Sequence, residues 1–441
     1  MKRSTVLLSA LSLILAGSNS YAKPLEDILK EKGVISAEDY QSVSKSSPVS
    51  YAPGNGVTIT SPDRNYSLNL GTSLQLRYTL TDLDDVNNNA TKQAQDSSKF
   101  ELRRIKMYLN GNAYSPDLTY KVMMNLTNLQ GGGVKNGGIL EETYLNYRLA
   151  DEFQIRAGQD KIPFGRQFIT SSTAQQFVDL SVVSNAFVPG YDTGVMLNGR
   201  IANGLVNYNV GGYGGVGQNT YRSTTDNAFA ARLTVNPLGD MKYSEGDVEY
   251  SEKPLLSVGG SFYRNTLNPS EYNSATATNN NIMFANVNTG WFGLGNQLSP
   301  SAKQISVTES ADINTAGFDT AFKWRGFSAQ GEYFMAQADG QTTGNRLRAE
   351  GFYVQAGYFV IPKTLELAGR YSYIDPNQDV AGDRWTESTG AVSWYINKHN
   401  LKLQADYTNV HRQALIATTN KGASANPTDD QQVRLQAQLL F

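Results

Sequence analysis

From Tyr66 onward, apolar and polar residues alternate one by one. Leu68, Leu70, Leu74, Leu76 and Tyr78 interleave with Asn69, Gly71, Ser73, Gln75 and Arg77. Leu365, Leu367, Gly369, Tyr371 and Tyr373 interleave with Glu366, Ala368, Arg370 and Ser372, and Leu401, Leu403, Ala405 and Tyr407 with Lys402, Gln404, Asp406 and Thr408. A period of two is that of a strand with one apolar and one polar face. Each run lasts about ten residues, the length a tilted strand needs to cross a bilayer. About sixteen such strands are expected, an even number within the range of outer-membrane barrels. They start near Tyr66, Phe100, Leu118, Ile139, Phe153, Thr193, Leu205, Asn227, Leu255, Ile313, Phe327, Gly351, Thr364, Trp385, Leu401 and Gln431.

The connections alternate in length. Those at 115–117, 150–151, 202–203, 325–326, 362–363 and 398–399 are short; those at 82–97, 160–192, 266–310 and 413–429 are long. Short periplasmic turns opposite long outer loops mark a transmembrane barrel. Residues 236–254 break the pattern, because a short turn is due there. The chain ends in an alternating strand closed by Phe441, the usual ending of such barrels. A soluble sandwich or propeller needs neither the even count nor the alternating loops, and no repeat of about 20–50 residues supports a propeller.

The amino terminus differs. Lys2 and Arg3, an apolar run from Val6 to Ala16 and small residues up to Ala22 read as a secretory signal, residues 1–22. Residues 23–56 read as a periplasmic helical lead and linker, with Gly33 as a helix stop, Ser36 as an N-cap, and Ser/Pro/Gly spacing over 44–56. The barrel is assigned to 57–441, which places the protein in the bacterial outer membrane.

Composition then narrows the chemistry. With no cysteine and only His399 and His411, disulfides, thiolate metal sites and haem ligation are excluded or disfavoured, and no cofactor is expected. The mean hydropathy of −0.41 excludes a helical membrane protein and leaves a β-barrel open. Without the signal the chain carries 36 basic and 40 acidic side chains, a net charge of −4, which argues against nucleic acid as a partner.

Lipid must be met by the apolar set, so the polar set faces the lumen. This parity puts Arg77, Arg104, Lys106, Lys121, Arg148, Arg156, Arg232, Lys323, Arg370, Lys402 and Arg434 inside, with Glu142, Glu152, Asp192, Asp319, Glu332, Glu366, Glu387 and Asp406. Individual charges also read as wall salt bridges, such as Arg370 with Glu366. Near Phe100, not all charges can point inward without a bulge; Ile105, Met107 and Leu109 are assigned to lipid and Arg104 and Lys106 to the lumen, which puts Arg103 near the outer rim. A barrel of this size is too wide for its side chains to fill, and a basic lumen concentrates anions. Residues 160–192 are long for a structureless loop. Their apolar residues Phe177, Val178, Leu180, Val182, Val183 and Phe187 need a surface, and the loop is expected to fold inward, with Lys161 and Arg166 at the narrowest point.

The helical lead from Leu25 to Tyr40, the Phe100–Lys106 strand with its Arg pair, Phe441, and above all Gly158-Gln159-Asp160-Lys161-Ile162-Pro163-Phe164-Gly165 resemble the phosphate-selective porin O and P family over essentially the whole exported chain. The resemblance implies a homotrimer of 16-stranded barrels, each with its own pore, and guidance of phosphate by an arginine ladder and a lysine cluster. Arg104, Lys106 and Lys161 stand in the matching motifs. The function expected is a porin for passive diffusion of small hydrophilic solutes, anion-preferring and not an enzyme. Three other readings compete. One is a non-selective structural barrel; another is a sheath around an electron-transfer cytochrome. The third is a phospholipase built from lipid-facing Ser388, Asn409 and His411, with Ser388 paired opposite Asn409.

Overall fold

The computed structural model describes residues 29–36, 38, 48–83, 96–129, 138–222, 224–268, 309–379, 381–413, 418–419, 422–423 and 427–441. Two units are distinguished, residues 1–50 and 51–441. In the first, a helical turn at 29–31 ends at Gly33 (φ +66°), as expected. There Gly33 N–H donates to Lys30 O at 3.0 Å and Val34 N–H to Leu29 O at 2.9 Å. The signal segment and most of the second helix start, 37–40, lie outside the described residues.

The expected linker is partly strand. β1 (Val49–Ala52) and β2 (Gly56–Thr60) flank a turn in which Asn55 N–H donates to Ala52 O at 2.9 Å. β2 pairs antiparallel with the start of β3, from Val57 opposite Leu70 to Thr60 opposite Ser67.

Sixteen antiparallel strands close into a barrel. They are β3 (Ser67–Asp82), β4 (Ser97–Ala113), β5 (Ser115–Asn125), β6 (Leu140–Ala150), β7 (Phe153–Lys161), β8 (Tyr191–Ile201), β9 (Val206–Tyr213), β10 (Ala228–Val235), β11 (Leu255–Leu267), β12 (Ala311–Trp324), β13 (Phe327–Gly340), β14 (Arg346–Ile361), β15 (Leu365–Asp375), β16 (Trp385–Asn397), β17 (Leu401–Arg412) and, beyond the two-residue strands β18 (Thr418–Thr419) and β19 (Gly422–Ala423), β20 (Thr428–Leu440). Each pairs with the next, and β20 returns to β3 with Gln431 opposite Asp82 and Leu440 opposite Ser73. Closure leaves no strand edge to be hydrogen-bonded by lipid. Among the described residues no helix is long and apolar enough to cross a membrane; strands make the crossing.

One end carries tight turns. Several hold a residue with positive φ, such as Ala202 (51°) with Asn203 (55°) in the four-residue turn after β8, and Arg325 (46°) with Gly326 (83°), the latter in the conformation two-residue hairpins require. The other end carries the long loops. The expected parity is realised: Leu68, Leu70, Leu76 and Leu80 are exposed on the outer face of β3, whereas Asn69, Ser73, Gln75, Arg77 and Thr79 are buried on the inner one.

Candidate functional site

Two segments enter the lumen, one from each end. From the long-loop end, the backbone leaves β7 through the motif at 158–165. Gln159 Nε2 ties the strand end to Leu140 O and Glu141 O, both at 2.8 Å. Ile162 and Phe164 are buried, and the Phe164 ring lies 5.6 Å from that of Phe334 on β13. Gly165, at φ +75°, turns the chain into the helical turn Arg166–Ile169. That turn is capped from the far wall: Glu332 accepts the N–H groups of Arg166 and Gln167 at 2.5 and 2.6 Å, while Tyr353 Oη donates to it at 2.7 Å. A carboxylate here satisfies two of the donors a helix start leaves open. The helix Val182–Phe187 follows, with Ser181 Oγ accepting from Ser184 N–H at 3.0 Å. Val183 and Phe187 pack among Ala336, Ala338, Leu347, Ala349, Tyr353 and Ile374 of the wall. At Gly351 an added Cβ would stand 2.8 Å from Phe187, so only glycine admits the helix this closely.

From the tight-turn end, the anomalous connection 236–254 also folds inward. Met241 and Val248 are buried, and so are Glu245 and Asp247. Glu245 meets the loop. Its carboxylate accepts from Gln167 Nε2 at 2.9 Å, Gln176 N–H at 2.7 Å and Gln330 Nε2 at 3.1 Å, and its own N–H donates to Ala174 O at 3.0 Å. Asp247 accepts from Gly326 N–H at 2.8 Å and from Ser251. His399, buried beside Ser244 (3.3 Å), is held well below its ordinary pKa, by burial first and then by Lys402 and Lys323, and stays neutral.

The two segments fill the side of the lumen lined by β10–β17. They leave a cavity of about 750 Å³ on the other side, between the loop and β3–β6. Its charged lining is Lys106, Lys121, Lys161 and Glu142, interleaved with Tyr108, Tyr120 and Tyr144. Lys106 pairs with Glu141 and Lys121 with Glu142. Arg156 pairs with Asp160 at 2.5 Å and lies 4.3 Å over the Tyr144 ring. The Lys161 ammonium donates to two loop carbonyls, Phe168 O at 2.7 Å and Thr170 O at 3.2 Å.

Above this wall, the register of β3 and β4 slips between Gln75 and Leu76, so that Arg104 faces Gln75 while Leu102 faces Leu76. The slip is a bulge at Arg103. It corrects the placement of Arg103 at the rim, because all three arginines converge on one loop carboxylate. Asp179 is met by Arg77 at 2.9 Å, Arg103 at 3.1 Å and Arg104 at 3.2 Å. Burial would raise the Asp179 carboxyl, but Arg103, Arg104 and Arg77 hold it well below the usual range.

Several expected pore residues are not at the water-filled side. Arg166 is 1% exposed, with Ser257 Oγ at 3.0 Å and the Tyr243 ring at 5.1 Å, so it packs the loop against the wall and does not stand at the constriction. Arg232 is buried against Asp319 at 2.7 Å. Arg370 lies 4.6 Å over the Phe177 ring, donates to Asp179 O at 3.0 Å and pairs with Glu387 at 3.1 Å, not with Glu366; Glu366 accepts from Gln176 and Tyr395. Lys323 and Lys402 spend their ammonium groups on Gly246 O and Gln175 O, and Arg434 pairs with Asp406. Arg148 stands exposed at the tight-turn mouth with Asp117 at 2.7 Å, and Glu152 is exposed in the adjoining turn, outside the wall. Glu141, absent from the sequence-derived set, faces inward beside Glu142 because the β5–β6 register slips between Val122 and Met124.

The Ser388 register is as expected, opposite Asn409. His411 instead lies opposite Thr386, with its Nδ1 3.0 Å from Asp429.

Residues 72–441 match the family described as phosphate-selective porin O and P. An uncharacterized protein of Aquifex aeolicus (strain VF5) is 24% identical over 437 residues, covering 90% of this chain and 92% of its own. The anion-selective porin from Comamonas acidovorans superposes with a TM-score of 0.53 at 10% identity, over 85% of this chain and 99% of that one. OmpT, an outer membrane protein of Vibrio cholerae, gives 0.50 at 11% identity, over 85% and 98%. At these identities the likeness is one of fold.

Proposed function

Because the chain belongs to the phosphate-selective porin O and P family, an outer-membrane channel, we propose that it passes small hydrophilic solutes passively and prefers anions. The observation that carries this reading is the lining of the open cavity: three lysines against one glutamate. Lys161 is the decisive member, since its hydrogen bonds go to carbonyls, and Glu142 and Glu141 act on it only without direct pairing. Carboxylates offset most of the other cations, so the preference is moderate. A point charge beside water in a low-dielectric wall raises the local concentration of the opposite ion without binding one species. The phosphate selectivity in the family name would need a further desolvated site. The filled half of the lumen speaks against a sheath for a cytochrome, which needs room for its cargo. As in the family expectation, the working assembly is a homotrimer, checked by native mass spectrometry of the detergent-extracted protein.

The test is a reversal-potential measurement across a planar bilayer in a KCl gradient. The expected sign is that of chloride permeating faster than potassium; a cation-selective reversal potential overturns the proposal. Inorganic phosphate added to the same bilayer blocks chloride current only if a specific phosphate site exists.

A further inference from the structure

On the lipid face, one rung near the long-loop end crosses four strands. Arg264 of β11 stands opposite Asn314 of β12, Asn314 opposite Gln337 of β13, and Gln337 opposite Arg348 of β14. Their strand neighbours are buried on the inner side, Tyr263 and Asn265 around Arg264, Leu347 and Ala349 around Arg348, so the rung points outward. At about 4.8 Å per strand the two arginines stand roughly 14 Å apart. Both are exposed, and neither guanidinium has an ion pair or hydrogen bond among the described residues. The carboxylates around them are engaged. Asp339 holds Arg346 at 2.6 Å and Gln337 Nε2 at 2.7 Å, lying within electrostatic reach of Arg348 without pairing with it. Asp312 accepts from Thr266 Oγ1 at 2.6 Å, and Glu350 from Tyr333 Oη at 2.7 Å. At the same end of β17, β20 and β3 the outward residues are His411, Asp429, Gln431 and Asp82, with no arginine among them.

Two rungs below the arginines runs an aromatic one, Phe318, Tyr333, Phe352 and Tyr373, with the last two rings stacked at 5.5 Å. Such a girdle marks the level of the membrane interface. Beneath it lies a groove of about 630 Å³, with Ala329, Gly331, Ala356 and Gly369 between the larger Phe322 and Tyr371. A Cβ added at Gly369 would meet nothing within 4 Å, and its φ is not positive. Neither backbone nor internal packing therefore calls for a glycine there, and a glycine inside a strand often marks the close approach of a ligand. Ala356 stands eight residues from Arg348 along β14. At a tilt of about 40° that is roughly 20 Å along the membrane normal, about the depth of one leaflet with its headgroups.

We propose that this face binds one lipopolysaccharide molecule of the outer leaflet. Arg264 and Arg348 take its two phosphates, Asn314 and the Gln337 carbonyl oxygen lie under the sugars between them, and one acyl chain passes the girdle into the groove. Guanidinium and phosphate form charge-assisted bidentate pairs. Two free cations held apart by two amides match a disaccharide phosphorylated at both ends, whereas a phospholipid brings its phosphate to one point. The groove, at the foot of the same strands, supplies the apolar half of the recognition.

The test uses the full chain refolded in detergent free of lipopolysaccharide, with bis-phosphorylated lipid A as the probe and native mass spectrometry as the readout. One lipid A per chain is expected to stay bound, in preference to phosphatidylglycerol. Arg264→Gln with Arg348→Gln should weaken it at least about tenfold, the loss of two charge-assisted pairs, and lipid A with a single phosphate should bind the parent less tightly. Gly369→Leu, which fills the groove, should weaken lipid A as well; its reversal potential in a planar bilayer should equal the parent's, which shows that the barrel is formed. A parent that keeps no lipid A, or keeps phosphatidylglycerol equally well, overturns the proposal. So does a double arginine variant that binds as the parent does. The chain has no cysteine, so Gly369→Cys adds a single thiol; disulfide-linked chains on oxidation would show that a second copy covers this face, and would overturn it too.

Discussion

The two sides of the lumen wall are built from the same alternating strands and the same charged residue types, yet they end in opposite states. Along β12–β14 nearly every inward residue is buried, whereas along β4–β6 most inward residues keep partial contact with solvent. On the packed side Arg232 and Asp319 meet with side chains 0% and 1% exposed; on the open side Lys121 and Glu142 meet at 27% and 14%. What separates them is the filling supplied by 162–190 and 236–254. An inward charge acts on passing ions only where no segment covers it; elsewhere the same charge becomes part of the scaffold.

The sharpest test removes a scaffold charge. Asp319→Ala leaves Arg232 buried and uncompensated, at a cost of about 3–5 kcal/mol. The melting temperature in detergent should fall steeply while the selectivity of surviving channels stays the same; a melting temperature near the parent's would show that the packed side is loose. Next in size is Asp179→Asn, which frees Arg77, Arg103 and Arg104. Anion preference should rise severalfold in the bilayer, and an unchanged reversal potential would place the cluster off the ion path. Protonation of Asp179 should act in the same direction. A carboxyl lowered in the folded state contributes its stabilisation above the unfolded value and loses it only as pH falls through the lowered one. With Asp179 held well below the usual carboxylate range, the difference between the parent and Asp179→Asn should stay constant from about pH 7 to about pH 4 and narrow only beneath that. A smaller contrast comes from a matched pair. Lys161→Glu should lower or reverse the anion preference, and Arg166→Gln should leave it intact while reducing stability; equal shifts in selectivity would erase the distinction between the two sides. Least of all, Ser388→Ala on the lipid face should alter neither ion flow nor phospholipid turnover, and a hydrolytic activity lost in that variant would restore the enzyme reading.

Most of the barrel was legible because the period of two is a local property. Each strand from Ser67 to Leu440 announces its own faces, and the anomalous length of 236–254 was visible as a broken rule. Which inward charges meet water was not legible, because covering is decided by distant segments: Glu332 is occupied by Arg166 and Gln167, some 165 residues earlier. A signal for the packed side was nonetheless present. Phe334-Met335-Ala336 is apolar at both parities, as expected of a strand buried on its inner face as well as its outer one. The bulge at Arg103 was half legible: the charge pattern demanded either a slip or a rim position, and Asp179, which rewards the slip, lies 76 residues away.

The seam between the first and last strands also ties the loop. Gln75 and Gln438 donate to Ser172 O and Thr173 O at 3.2 and 2.9 Å, and Arg77, braced by Gln436 across the seam, donates to Val178 O at 2.8 Å. The first and last strands of the barrel thus meet over the loop's own carbonyls. Ring closure and the anchoring of its filling therefore draw on the same side chains. A chain lacking β20 should consequently leave residues 162–190 open to protease, and protection in such a chain would separate the two events.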